Sequence, residues 1–330
     1  MQAQDYSMAK WAIGVRLPGS TDKSIDNAVS NGEILRTHVL RPTWHFVSPE
    51  DIRWMLKLTA PNIKSSMKGR HHQIELDDAT IKKSIRIIEK ALNKGEHLKR
   101  EVLVDLLEKS GIPTNDNRAA HIFMLAELDG IICSGKIAGN KQTFALLDER
   151  IQSQKNFSKE ESLKLLAVKY FQSHGPATLQ DFIWWSGLRT GDAKHSLELV
   201  KNEFLCVKVD QNEYWFKEKD YDKEKEGFKN KSLVYLLPAY DEFLISYKDR
   251  NASLHQVNNP KTISTNGIFR PVIVVNGQVV GIWRRTTNKN KTMIEVEFFS
   301  PPDKGLQAKI QNYISQLKSF LLKEIEIKIF

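Results

Sequence analysis

The chain has 330 residues, 41% of them hydrophobic and 27% charged, a globular composition long enough for two to four domains at roughly 100–200 residues each. Forty-nine Lys and Arg against forty Asp and Glu leave a net charge of +9, which favours a polyanionic partner, nucleic acid first and an anionic membrane surface second. Cys133 and Cys206 exclude a disulfide framework and have no metal-ligand spacing, while the lack of an eighteen-residue apolar run or a basic-then-apolar leader excludes a membrane helix and a secretory signal. A reducing cytoplasm is the expected compartment, with association to the nucleoid when DNA is bound.

In chain order, apolar spacing predicts helices over 6–16 and 22–30, strand or wing over 38–47, and a helix that Pro49-Glu50-Asp51 opens and that runs to about Thr59. Ile81, Ile85, Ile88 and Leu92 then fall on one helical face, and Val102, Leu103, Leu106 and Leu107 on a second. Residues 115–128 make a third helix, which Gly130 stops. Segments 131–133 and 143–147 flank the turn 134–141 as a β-hairpin. Three helices followed by a hairpin are a winged-helix plan. It returns at 159–172, 178–186 and 191–202, closing with strands 204–209 and 213–216 around Asp210-Gln211-Asn212. The N-terminal elements read as a third copy that lacks its first helix. The three copies occupy residues 1–60, 75–152 and 157–220.

The alternating charges of 220–227 have no apolar face and read as a linker. Beyond it, residues 228–330 read as a β-rich, barrel-like domain with short strands at 233–237, 243–247, 272–275, 278–284 and 294–299. Asn276-Gly277 signals a two-residue hairpin turn. An amphipathic helix over 304–322 and a last strand at 325–330 complete it. The expected fold is mainly α with small β parts (α+β), tandem winged-helix domains followed by a C-terminal β-barrel-like domain.

Four segments carry a resemblance: Gln2-Ala3-Gln4-Asp5-Tyr6, Arg41-Pro42-Thr43-Trp44-His45-Phe46, Gly175-Pro176-Ala177-Thr178 with Trp184-Trp185-Ser186-Gly187-Leu188, and Leu237-Pro238-Ala239-Tyr240-Asp241-Glu242. Together they make the chain resemble the winged-helix proteins of the AlkZ/YcaQ type, which include bacterial DNA glycosylases acting on alkylated bases. The resemblance covers nearly the whole chain and implies three tandem winged helices with a C-terminal barrel-like domain. It also implies a catalytic signature of Gln, an apolar residue, then Gln or Asp, which Gln2-Ala3-Gln4 matches. Family members carry a helix ahead of this signature, whereas Met1 stands directly before it here.

Residues two apart share a side only in extended backbone. Asp5 is suited to cap the helix beginning at Tyr6, which leaves Gln2 and Gln4 extended and able to reach one water or sugar. By spacing alone the pair reads more readily as solvated polar residues, and it is the resemblance that turns the reading toward a site. Neutral amides suit a purine alkylated at N7 or N3, because such a base is already cationic and departs without a general acid. What remains is to place water and stabilise an oxocarbenium ion.

Arg41, Thr43 and His45 alternate along the first wing, opposite Pro42, Trp44 and Phe46, and are expected to line the substrate site. The alternative is a solvated wing with His45 bonded to backbone. Of Trp184 and Trp185, one is expected in the core and the other at an interface. Asp241-Glu242 reads as a structural contact more readily than a paired acid or magnesium site, and His71-His72 as a phosphate contact in a basic linker. Lys136 and Lys141 in one turn, and Arg284, Arg285, Lys289 and Lys291 in another, are candidate DNA-backbone contacts or ordinary solvated turns. No phosphate loop, dinucleotide fingerprint or zinc-protease motif occurs in the sequence, so no cofactor and no metal are expected.

The expectation is a monomeric, monofunctional DNA glycosylase acting on double-stranded DNA with cationic alkylated purines, through Gln2 and Gln4. A non-catalytic winged-helix DNA-binding protein is the alternative, and a protein-interaction scaffold a third.

Overall fold

The computed structural model describes the chain except residues 152–154, 219–232, 289–290 and 303. The linker expected at 220–227 and the candidate contact Lys289 lie outside the described residues. Two compact units are present: Met1–Ile25, His174–Asp181 and Phe204–Phe330 form one, Asp26–Ser173 and Phe182–Glu203 the other.

The winged-helix plan is clearest in the second unit. Asp77 caps the helix Asp78–Leu92 by accepting from the Thr80 N–H at 2.7 Å, and the helices Arg100–Lys109 and Arg118–Leu128 follow. Ile88, Leu92, Leu103, Leu107, Ile122 and Phe123 bury one apolar face from each helix in a common core. The hairpin of Ile132–Ser134 and Thr143–Leu146 gains a third strand, Leu98–Lys99. Two residues are too short to show a strand period, so the sequence gives no sign of it.

Two expected boundaries of the first copy change. Of the strand or wing expected at 38–47 the structure has the wing, a hairpin of Leu35–Val39 with Thr43–Val47 that starts ahead of the expected His38 and turns at Leu40 with φ 65. The helix expected to stop near Thr59 runs from Ile52 to Gln73 straight through Pro61. Proline removes one hydrogen bond and crowds the preceding turn, but Ile52, Met55, Leu56, Ala60, Ile63 and Met67 bury a continuous stripe that outweighs the loss. His71 and His72 therefore close a helix and do not sit in a linker, and His71 lies edge-on to His121 with ring centroids 5.1 Å apart.

In the first unit, Leu205–Val209 pairs antiparallel with Asn212–Phe216 as a wing. A five-stranded sheet follows in the order Glu324–Ile329, Lys291–Phe298, Gln278–Thr287, Val272–Val275, Val234–Leu237. All neighbours are antiparallel except the first two strands, which run parallel. Asn276 and Gly277, at φ 49 and 82, make the two-residue turn that the sequence signals. Leu237, Leu244, Ile245, Leu254, Val272 and Val274 pack together against this sheet. The segment expected as a strand at 243–247 is a helical turn, Glu242–Ile245, because Asp241 accepts from the Phe243 N–H at 2.9 Å and nucleates it. β-Branched and aromatic residues favour strands only where a pleated neighbour receives them. The fold is the α+β arrangement expected, tandem winged helices and a curled C-terminal sheet. Among the described residues no helix is long and apolar enough to cross a membrane.

The two thiols differ in chemistry. Burial pushes the Cys133 thiol up to about 12, whereas Cys206 is exposed on the wing. The thiolate is the reacting species, so native protein at pH 7.5 is expected to take one maleimide, at Cys206, and a second only after denaturation. Intact mass checks this, and two labels on the native chain would contradict the burial of Cys133.

Candidate active site

The helix Tyr6–Arg16 starts where Asp5 accepts a hydrogen bond from the Met8 N–H at 3.0 Å. That cap satisfies one of the donors a helix start leaves open, and it keeps Gln2-Ala3-Gln4 outside the helix, as the sequence predicts. The chain bends at Gln4 and Asp5, which gives the two amides different surroundings. Gln2 is 4% exposed, and its N–H donates to Glu242 Oε1 at 2.6 Å. Gln4 is exposed and lines an open cleft of about 880 Å³.

Asp5, Tyr6, Tyr240, Phe269, Arg270, Trp283, Arg284 and Glu297 share that cleft with Gln4. Three kinds of surface meet there. Aromatic faces and the Asp5 and Glu297 carboxylates suit a flat cation, two arginines suit phosphate oxygens, and Gln4 supplies a neutral donor and acceptor. Tyr240 holds a left-handed backbone at φ 57, a conformation costing of order 1–3 kcal/mol that gathers at ligand sites. Its ring lies tilted against Phe269 at 6.4 Å. Burial, reinforced by the Asp5 carboxylate, pushes its phenol up, so the hydroxyl stays protonated at neutral pH, a hydrogen-bond donor and too weak an acid to protonate a leaving base.

Behind the signature, one short stretch of chain grips the N-terminal segment repeatedly. The Trp11 indole donates to the Leu236 carbonyl at 2.8 Å. Arg16 donates twice to Asp241, at 2.8 and 2.9 Å. Burial by itself raises the Glu242 carboxyl, but the Met1 amino group at 3.9 Å, His174 and Ser246 outweigh it and hold the group well below the usual carboxylate range. Asp241-Glu242 is thus a structural pair, its two carboxylates engaging different parts of residues 1–16. The sequence gives Tyr240 only as part of a resembling segment, with no role at the site, and gives Arg16 no signal at all; Arg16 and Asp241 are 225 positions apart, and no local pattern announces such a pairing.

The first-wing trio belongs to the second unit. Only Thr43 and His45 lie in the strand Thr43–Val47; Arg41 is in the turn before it, so the three do not form one strand face. The extra turn residue follows from the left-handed Leu40, which reverses the chain. His45 is 1% exposed and its Nδ1 meets the Thr43 carbonyl at 3.0 Å, the backbone-bonded arrangement that the sequence left as the alternative. Arg41 lies over the exposed Trp184 ring at 5.7 Å, while Trp185 packs on Tyr170 at 5.0 Å. Gly187 lets this junction close. A side chain at its φ of 67 would bring a Cβ to 2.6 Å from the Leu40 carbonyl oxygen, which only glycine avoids.

Several of the basic candidates are paired. Lys141 bridges Glu101 at 2.8 Å, Lys291 bridges Glu326, and Arg284 approaches Glu295 at 3.8 Å. Lys136 is exposed in its turn. Trp283 to Thr287 continue the strand and do not form the basic turn expected there. Strand alternation consequently leaves Arg284 exposed on the cleft and sets Arg285, half-buried, against Ser7 Oγ. Among the described residues no three His, Cys, Asp or Glu side chains gather as a metal site.

The family described as DNA glycosylase AlkZ-like matches residues 1–320. An interstrand DNA cross-link repair glycosylase of Streptomyces sahachiroi is 24% identical over 297 residues, covering 86% of this chain and 79% of that protein. The solved structure of the Streptomyces sahachiroi DNA glycosylase AlkZ matches the fold with a TM-score of 0.81 at 18% identity, over 100% of this chain and 91% of that one.

Proposed function

Because the chain belongs to the AlkZ-like DNA glycosylase family, we propose that it is a monofunctional glycosylase that hydrolyses the N-glycosidic bond of cationic alkylated purines, of the N7-alkylguanine type, in double-stranded DNA. The observation that carries this reading is the exposed Gln4 carboxamide on a cleft that combines aromatic rings, two carboxylates and two arginines. An extruded base carries its positive charge into the aromatic and acidic side of such a cleft, and Arg270 and Arg284 meet the phosphates beside it. As the C1′–N bond breaks, its electron pair neutralises the alkylated ring, so the base leaves without protonation. The Gln4 carbonyl accepts a hydrogen bond from the incoming water, whose oxygen bonds to C1′ of the oxocarbenium-like sugar and whose proton passes to solvent. Gln2, one residue before Ala3, is the second member of the pair. Clefts of this volume take drug-sized ligands, so a purine with a bulky N7 substituent fits, in keeping with a relative named for cross-link repair.

A site without a general acid forgoes the roughly 10²–10⁴-fold that proton donation contributes to base departure. Single-turnover release from matched duplexes is therefore expected to be at least about 100-fold faster for N7-methylguanine than for neutral 8-oxoguanine. Equal rates would show that lesion charge does not drive the reaction.

A further inference from the structure

Glu242 is a buried carboxylate that the proposed reaction does not use directly, yet every hydrogen bond shown for it bears on one point. Its Oε1 accepts the backbone N–H of Gln2 at 2.6 Å. Its Oε2 accepts from Ser246 Oγ, one helical turn further on, and stands 3.4 Å from His174 Nε2. The carboxylate is thus held from behind by two side chains and presents its remaining oxygen to the peptide that carries the first signature glutamine. A charge-assisted bond of this length is about twice as strong as a neutral one. The neighbouring Asp241 holds Arg16 in a bidentate pair, and the cap at Asp5 fixes the helix start. Residues 2–5 are therefore tied at both ends, by Glu242 at one and the helix at the other.

We infer that Glu242 is the positioning residue of the Gln2-Ala3-Gln4 signature, acting through the Gln2 peptide to hold the segment so that the Gln4 carboxamide stays in register with the cleft. This role rests on the glycosylase reading above. Misplacement by about 1 Å costs roughly 100-fold in an oriented reaction, which sets the scale of the expected effect.

The test measures single-turnover release of N7-methylguanine at saturating protein, the Kd for the same duplex, and hydrogen exchange of the segment 1–6. It uses Glu242→Gln, which keeps the shape and an acceptor oxygen, Glu242→Ala, and Ser246→Ala as a milder change that leaves the carboxylate in place. The expected result is a rate about 10-fold lower in Glu242→Gln and about 100-fold lower in Glu242→Ala, with Kd within twofold and faster exchange confined to residues 1–6. In a Gln2→Pro background, where residue 2 has no N–H to give to the carboxylate, Glu242→Gln then lowers the rate by no more than twofold, because the two changes remove the same hydrogen bond. Wild-type rates in both Glu242 variants, multiplicative losses in the double variant, or unchanged exchange at 1–6 would each overturn the role. A wild-type chain that releases no base removes the glycosylase reading and this role together; an active wild type with any of those three results removes this role alone.

Discussion

Gln4→Ala is expected to lower the rate of base release by about 10²–10³-fold, the loss seen when one preorganised transition-state partner is removed, while the Kd for lesion-bearing duplex stays within twofold. The exposed position of Gln4 makes the experiment clean. Its side chain lines the cleft and is no part of the core, so truncation leaves no cavity in the packing. Gln4→Glu retains a carbonyl oxygen but adds charge beside Asp5, so it is expected to recover only part of the rate. Gln2→Ala tests the other member less directly, because Gln2 is 4% exposed and its loss also disturbs packing. A Gln4→Ala variant with the wild-type rate at unchanged Kd would remove this residue from the chemistry.

Trp11→Ala is expected to cost about 3–5 kcal/mol, the range for truncating a large buried aromatic. Trp11 is 2% exposed. Its indole meets Tyr313 edge-on with centroids at 6.2 Å and Phe320 at 5.1 Å, and donates to the Leu236 carbonyl at 2.8 Å. One turn later Gly14 makes room for the same Phe320, whose ring would stand 2.7 Å from a Cβ there. A mid-helix glycine costs about 1 kcal/mol against alanine, and the close approach of the ring explains its presence. Trp11→Phe keeps most of the buried area but leaves the Leu236 carbonyl without its donor, so about 1–3 kcal/mol of the loss remains. Urea unfolding followed by far-UV circular dichroism measures both. A Trp11→Ala midpoint equal to wild type would show that the helix Tyr6–Arg16 is not anchored as described.

Local chemistry made much of the fold legible in the sequence. Asp5 before Tyr6 announces a cap, Asn276-Gly277 a hairpin, and Ile81, Ile85, Ile88 and Leu92 a helix, each through interactions within a few residues. Expectations failed where tertiary packing overrides a local rule. Pro61 stays inside a long helix because both flanks are buried, and 243–247 coils into a turn because Asp241 caps it. The Gln2-Ala3-Gln4 segment is recognisable by resemblance, and its extended entry to the helix follows from the cap. The bend at Gln4 does not, and it is what separates a buried Gln2 from an exposed Gln4. The contact between the Gln2 peptide and Glu242 joins residues 240 positions apart, beyond any periodicity. The first-wing trio failed for a smaller reason: one left-handed residue, Leu40, moved Arg41 out of the strand that its alternation with Thr43 and His45 implied.

The most direct test is to incubate wild-type protein and Gln4→Ala, each at saturating concentration, with a duplex bearing a single N7-methylguanine, and to count abasic sites by alkaline cleavage alongside a binding assay on the same samples. The proposed function predicts abasic sites with the wild type well above spontaneous depurination, and a Gln4→Ala yield near that background although the DNA is bound. Wild-type protein that binds the duplex and leaves its glycosidic bond intact would contradict it, and would make the chain a DNA-binding protein without this chemistry.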